Sequence, residues 1–425
     1  MIDSTQTALI IDLLHREVIP AIGCTEPIAV AFAVARAVEI LGAEPQKINV
    51  QLSSNVLKNA MGVGIPSTGM TGLPIAIALG ATVGRAEYGL EVLRDVTPES
   101  VEYAKGIIDA GVIDISLAAG ATDKLYIKIE TSSVDHSSEV VVATGHTNII
   151  YESKDGKVLL DRALNDDVTV DVDAVELSMR RVYDFAMETP LDSLRFILES
   201  KRLNLSAAQT ALAGNYGHNV GRLMVGSLFG DTTFAKILSY TSAACDARMA
   251  GAMIPVMSNS GSGNQGIAAT LPVVIYAREH DICEERLVRA LTLSHLTVIY
   301  MKEKLGRLSA MCGCVVAATG SSCGITYLMG GDYAQITYAV KNMVANLTGI
   351  ICDGAKPSCA LKISSGVSTA IISAAMAIEG SCVASVEGII DDDVEKCIEN
   401  LTAIGANAMN ITDDCVLDIM TSKGC

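Results

Sequence analysis

From about residue 171 to residue 425 no stretch of this chain alternates apolar and polar side chains as a half-buried strand does. Its apolar residues recur at helical spacing and are interrupted by glycine-rich breaks, beginning with Val175-Glu-Leu-Ser-Met-Arg-Arg-Val-Tyr. One large helical domain is therefore expected over 171–425. Its helices must pack closely, because half of the residues are hydrophobic yet none is Trp and only 4% are aromatic. Ala, Gly, Ile, Val, Leu and Met are left to fill the interior.

Residues 45–170 have a different character. Alternation in Ile48-Asn-Val-Gln-Leu, Leu125-Tyr-Ile-Lys-Ile-Glu and Val140-Val-Val-Ala-Thr, followed by Asn148-Ile-Ile-Tyr, predicts strands, with helical stretches between them. This reads as a small α/β domain. Residues 1–44 hold two helical stretches split by Pro20, Gly23 and Pro27, with Cys24 in the break, and are expected to pack as a segment on the helical domain. The fold class is thus α+β, predominantly helical.

The formal charge of −17 argues against nucleic acid, whose phosphates would be repelled. No uninterrupted apolar stretch of about 18 to 20 residues, the span of a bilayer, is evident. The first residues lack the basic and apolar regions of a secretory signal. Twelve cysteines in such a chain point to a reducing compartment, where thiols serve metals or catalysis more often than disulfides. A cytoplasmic homo-oligomer acting on a small molecule is expected.

The chemistry is concentrated in Cys352-Asp-Gly-Ala-Lys-Pro-Ser-Cys359 and, forty residues earlier, Cys312. Gly354 and Pro357 predict a loop that folds back so that both of its thiols face one point, with a helix opening after Pro357. An isolated thiol is most often a small buried hydrophobe. A looped pair with a third partner suits a soft metal centre with one position left over, and the spacing leaves iron-sulfur and zinc both open. Ser258-Asn-Ser-Gly-Ser-Gly-Asn-Gln-Gly266 contains a literal GxGxxG, but no strand and βαβ unit frame it as a dinucleotide site requires. It reads instead as a donor-rich helix entrance for a carboxylate, through Ser260, Ser262, Gly263, Asn264 and Gln265. Asn55, Lys58 and Asn59, leading into Gly62-Val-Gly-Ile-Pro-Ser-Thr-Gly69, form a second polar turn in which Lys58 offers a charge.

Ile19-Pro-Ala-Ile-Gly-Cys-Thr-Glu-Pro27, Asn55 to Gly69, Ser260 to Gly266, Gly306 to Gly313 and Gly349 to Lys362, taken in order, resemble the L-cysteine desulfidases. That family shares a superfamily with the iron-sulfur L-serine dehydratase α chain, and the resemblance runs over essentially the whole chain. It implies an oxygen-sensitive [4Fe-4S] cluster on Cys312, Cys352 and Cys359, no pyridoxal phosphate, and Cys24 as the active-site thiol, with Glu26 as a rival base. By likeness to the serine dehydratases, which place a C-terminal cysteine at the cluster, Cys425 is a candidate resting ligand of the fourth iron, with water or Cys24 as the other occupants. The activity implied is β-elimination from L-cysteine to pyruvate, ammonia and sulfide, Cys24 acting as base if its pKa is lowered. L-serine dehydration by the same Lewis acid, an iron-sulfur redox sensor and a zinc-stabilised structural protein are the alternatives.

Overall fold

The computed structural model describes residues 4–118, 123–162, 175–226, 229–306 and 308–423. Helices dominate, and the strands are Pro20–Ala21 (β1), Lys47–Leu52 (β2), Ile113–Leu117 (β3), Tyr126–Ser132 (β4), Ser137–Ala143 (β5), Ile149–Lys154 (β6), Lys157–Asp161 (β7) and Val256–Met257 (β8). Strands β2 to β7 form one sheet in the order β3-β2-β4-β5-β6-β7, parallel only between β2 and β3. The expected strands lie in β2, β4, β5 and β6. β3 and β7 were not expected; β7 has no alternating buried face, whereas β3 does alternate, with Ile113 and Ile115 packed against the core, and was missed because it is only five residues long.

Alternation in β2 has a plain cause. Ile48, Val50 and Leu52 point to one face and are fully buried, each stabilising the sheet by about 1.5–3 kcal/mol, while Asn49 and Gln51 face the other way. Over the apolar face lies the helix Thr25–Leu41, against which Leu73–Thr82 packs in turn. A Cβ on Gly80 would lie 2.5 Å from the carbonyl oxygen of Ala31, so glycine sets how closely these two helices approach. With few large aromatics, backbone proximity supplies much of the packing density.

The second core belongs to the helical body. Gly313–Leu328 is its axis, surrounded by Gly263–Glu279, Glu284–Leu305, Tyr333–Leu347 and Cys359–Ile378. Gly320 lets this axis approach Glu284–Leu305, because a Cβ there would meet the Ser294 carbonyl oxygen at 2.4 Å. Buried hydroxyls of Thr292, Thr297, Thr319 and Thr326 donate to carbonyls one turn back on their own helices. These groups are thereby satisfied inside an apolar core.

One expectation needs correcting. The segment 1–44 does not dock as one piece, since Ser4–Glu17 contributes Ile10, Leu13 and Leu14 to the helical core, whereas Thr25–Leu41 belongs to the core under the sheet. One helix, Cys359–Ile378, is long and apolar enough to cross a membrane by length and composition, although Lys362 and four serines interrupt its apolar run as the sequence shows. Its buried face packs into the helical core.

Both units are also joined through the C-terminal region. Val394–Ala403 buries Ile398 and Leu401 in the helical core, a π-helical turn follows at Ile404–Ala408, and Asn410–Thr421 places Leu417 in the core under the sheet. The Ser309 hydroxyl donates to the carbonyl of Gly405 at 2.9 Å, which fixes the turn against the segment that carries Cys312.

Candidate active site

The two thiol-bearing segments are stitched together by backbone. Met311 and Ile351 form an antiparallel bridge, flanked by hydrogen bonds from Cys312 N to Ile350 O (2.9 Å) and from Cys352 N to Ala310 O (2.6 Å). After Cys352 the chain turns at Gly354 (φ 87°), where a Cβ would lie 2.1 Å from the carbonyl oxygen of Lys58. Only glycine fits a left-handed residue pressed against another backbone. Asp353 is held by Lys356 and Lys362, which outweigh the upward push of burial and draw its carboxyl down to about 2. The loop closes with Cys359 as the first residue of its helix, as Pro357 predicts.

Electrostatics differ among the thiols. A hydrogen bond from the Cys314 thiol, against the effect of burial, draws Cys312 down to about 7. Burial pushes Cys359 up to about 11 and raises Cys352 as well. Cys312 is the N-cap of Gly313–Leu328, so two of these thiols stand at helix starts, where the dipole favours negative charge.

Cys24 is likewise an N-cap, of Thr25–Leu41, after a left-handed Gly23 that abuts Pro66. Its thiol donates to Glu26 Oε2 at 3.0 Å; Thr25 Oγ1 donates to the same oxygen at 3.2 Å, and Asn59 Nδ2 donates to Oε1 at 3.2 Å. Burial, followed by the neighbouring Glu26 charge, raises the Cys24 thiol well above its ordinary range. Burial pushes Glu26 up too, but the His146 charge and the Cys24 hydrogen bond outweigh it and leave the carboxyl low. The lowered Cys24 pKa that its role as a free base called for is therefore not found, and the shift runs the other way. Desolvation and an adjacent anion exceed a dipole's effect, and in this pair Glu26 carries the charge while Cys24 carries the proton.

The glycine-rich loop has a different construction from a dinucleotide site. The strand before it is the two-residue β8, paired antiparallel with β1, and Asn259 to Ser262 form a tight turn in which Ser260 (φ 48°) and Gly261 (φ 80°) are both left-handed. Asn259 Nδ2 donates to Nδ1 of His295 at 3.0 Å, and the far ring nitrogen meets the Thr270 hydroxyl at 3.0 Å. Burial lowers this ring to about 3, so it is neutral. At Gly266 a Cβ would lie 1.9 Å from the Met257 carbonyl oxygen, and at Gly263 it would lie 2.3 Å from Nε of Arg248. Two glycines of the fingerprint are thus packing requirements.

These pieces surround one cavity of about 260 Å³. Of the expected residues, Cys24, Glu26, Asn59, Ser260, Ser262, Asn264, Gln265, Cys312, Cys352 and Cys359 line it. Three do not. Lys58 is 2% exposed and forms an ion pair with Asp413 of the last helix, Asn55 is buried away from the cavity, and Gly263 serves to make room for Arg248. Cys425 lies outside the described residues. Four helices, Thr25–Leu41, Gly263–Glu279, Gly313–Leu328 and Cys359–Ile378, begin at the cavity.

Sequence reading missed Arg248, Lys302, Cys314, Thr144 and His146, all of which line the cavity. Thr144 and His146 follow β5, and Asp123 to Leu125 precede β4, so one end of the sheet covers the cavity. Nothing local in the sequence marks that position. Arg248 had a usable signal, as a basic residue in the otherwise small and apolar Ala247 to Ala252 stretch.

Among the described residues no three His, Cys, Asp or Glu side chains converge on a single-ion site. Three thiols around one cavity suit a polynuclear cluster, whose several metal atoms keep the ligands apart.

Comparison with known proteins gives two kinds of match. Residues 87–418 match the family described as serine dehydratase alpha chain. Over whole length, the chain is similar to proteins named UPF0597 protein: 62% identical over 430 residues to that of Phocaeicola vulgatus, covering 100% of both chains, and 63% identical over 419 residues to that of Bacteroides thetaiotaomicron, covering 98% of both. The UPF0597 protein of Oleidesulfovibrio alaskensis is 46% identical over 421 residues, 97% of each chain.

Proposed function

Because this chain belongs to the serine dehydratase alpha chain family, we propose that its cavity carries out β-elimination from a small α-amino acid, with a [4Fe-4S] cluster held by Cys312, Cys352 and Cys359. The observation that carries this reading is the placement of a thiol hydrogen-bonded to an ionised carboxylate, Cys24 and Glu26, in the same cavity as three further thiols. A cluster with three protein ligands supplies Lewis acidity toward a departing thiolate or hydroxide.

The protein's own groups do the rest. Glu26 takes the proton of Cys24, and the Cys24 sulfur takes the Cα proton of the substrate, so that one proton leaves carbon and one arrives on the carboxylate. Asn59 holds Glu26 in the orientation this relay needs. Ser260, Ser262, Asn264 and Gln265, at the start of Gly263–Glu279, bind the polar end of the substrate. Loss of the β-substituent leaves aminoacrylate, whose imine tautomer hydrolyses to pyruvate and ammonia.

L-Cysteine is the proposed substrate, because a soft sulfur suits a thiolate-bound iron site. L-Serine is the second reading, and the family's description favours it. Anaerobically purified protein given L-cysteine should release sulfide and pyruvate in equal amounts, faster than it releases pyruvate from L-serine. Faster pyruvate from L-serine establishes the second reading. No pyruvate from either rejects elimination.

A further inference from the structure

A buried guanidinium with no carboxylate in contact is rare in an acidic protein, where carboxylates outnumber cations 48 to 31. Arg248 is 4% exposed and lies against the cavity; among the described residues no carboxylate is in ion-pair range, Glu26 feeling its charge only from farther away, and its Nε has no hydrogen-bond partner. Burying a charge without a contacting partner is costly, and a bound anion offsets that cost. The buried Lys58 has Asp413; nothing comparable is built for Arg248.

The surroundings narrow the anion's identity. Gly263 opens the helix Gly263–Glu279, and its missing side chain is the space that the Arg248 guanidinium stem occupies, so the arginine lies across a helix start. Beside it, Asn264 Oδ1 and Gln265 Oε1 are buried acceptors without donors, both on residues that line the cavity. A planar donor fork next to empty acceptors matches a carboxylate joined to an ammonium. An inorganic anion would satisfy the fork and leave the acceptors unmet.

We infer that Arg248 is the receptor for the substrate's α-carboxylate, with the Asn264 and Gln265 side-chain oxygens receiving its ammonium, so that the cavity selects small α-amino acids with a free carboxylate. The inference rests on the elimination reading for the identity of the site, and it replaces Lys58 as the carboxylate's partner. It also accounts for orientation. The Arg248 charge acts on both Cys24 and Glu26, so a carboxylate held there brings Cα beside the proposed base.

The test uses anaerobic holoenzyme and two unreactive probes, L-alanine and L-alaninamide, titrated by calorimetry. The parent should bind L-alanine about tenfold or more tighter than the amide, the effect of a charge-assisted pair. Arg248→Gln should abolish that preference by weakening L-alanine alone. Gly263→Ala, which keeps the charge but drives the guanidinium from its place, should weaken L-alanine likewise. Far-UV circular dichroism checks the fold of each, and if Arg248→Gln does not fold, the parent's ratio and Gly263→Ala decide. Equal affinity of the parent for both probes, or unchanged L-alanine affinity in a folded variant, overturns the inference. Because calorimetry needs no turnover, preferential L-alanine binding through Arg248 in a protein that eliminates nothing rejects the reaction and keeps the receptor. Pyruvate formation with an unchanged KM in Arg248→Gln does the reverse.

Discussion

His295 gives the fold of the glycine-rich loop a measurable pH dependence. The ring is fully buried between Asn259 and Thr270, and burial takes its pKa from 6.5 to about 3. Above pH 6.5 the ring is neutral in folded and unfolded chains alike, and its contribution to stability is fully present. Below 6.5 the unfolded chain binds a proton that the folded protein refuses, so stability falls steadily until the pH reaches about 3. At about 1.4 kcal/mol for each pH unit, and with little lost above 6.5, lowering the pH from 7.5 to 5.0 should remove about 2 kcal/mol through this one group. Urea unfolding of parent and His295→Gln at both pH values isolates the term, because other titrating groups are common to the two. The variant should be less stable at pH 7.5 yet lose about 2 kcal/mol less on acidification. Equal losses in parent and variant would refute the buried neutral ring.

Cys24→Ala and Glu26→Gln should each retain iron and lose exchange of the substrate's Cα hydrogen with solvent by about 10²- to 10⁴-fold, followed by NMR in deuterium oxide; iron loss in Cys24→Ala would make that thiol a ligand. Gly354→Ala places a side chain at a left-handed residue and against the Lys58 carbonyl, a strain of about 1–2 kcal/mol before the clash is counted. Its iron content, by elemental analysis, should fall well below that of the parent, and full loading would show that the loop tolerates displacement. Lys58→Met should destabilise the protein by up to about 3 kcal/mol in urea, tempered by the partial exposure of Asp413, and adding Asp413→Leu should recover much of it; an unaffected single variant would mean that the pair does not anchor the last helix.

Local pattern carried the fold a long way. Strands β2 and β4 were legible because half-buried strands alternate, and β5 and β6 through their β-branched apolar runs; β7 lacks either signal, and β3 was missed although its short Ile113-Asp-Ile-Ser-Leu run alternates. The break at Cys24 was visible in Pro20 and Gly23, but which core each flanking helix joins depends on tertiary packing that no local spacing encodes. The site divides in the same way. Gly354 and Pro357 announced the thiol loop through backbone geometry, and Ser262 announced a helix start. Lys58 misled because a charged side chain beside a polar turn looks free until its partner, Asp413, arrives from the far end of the chain. His146 was silent for a related reason, since it reaches the cavity from a turn whose own sequence carries no binding motif, and Arg248 showed only as a lone basic residue among small apolar ones.

Iron content measured beside turnover in anaerobically purified parent, Cys312→Ser, Cys352→Ser and Cys359→Ser tests the central claim most directly. The parent should carry about four irons per chain, and each substitution should lower iron and pyruvate formation together. Full iron and full turnover in all three variants, or zinc in place of iron in the parent, would contradict it.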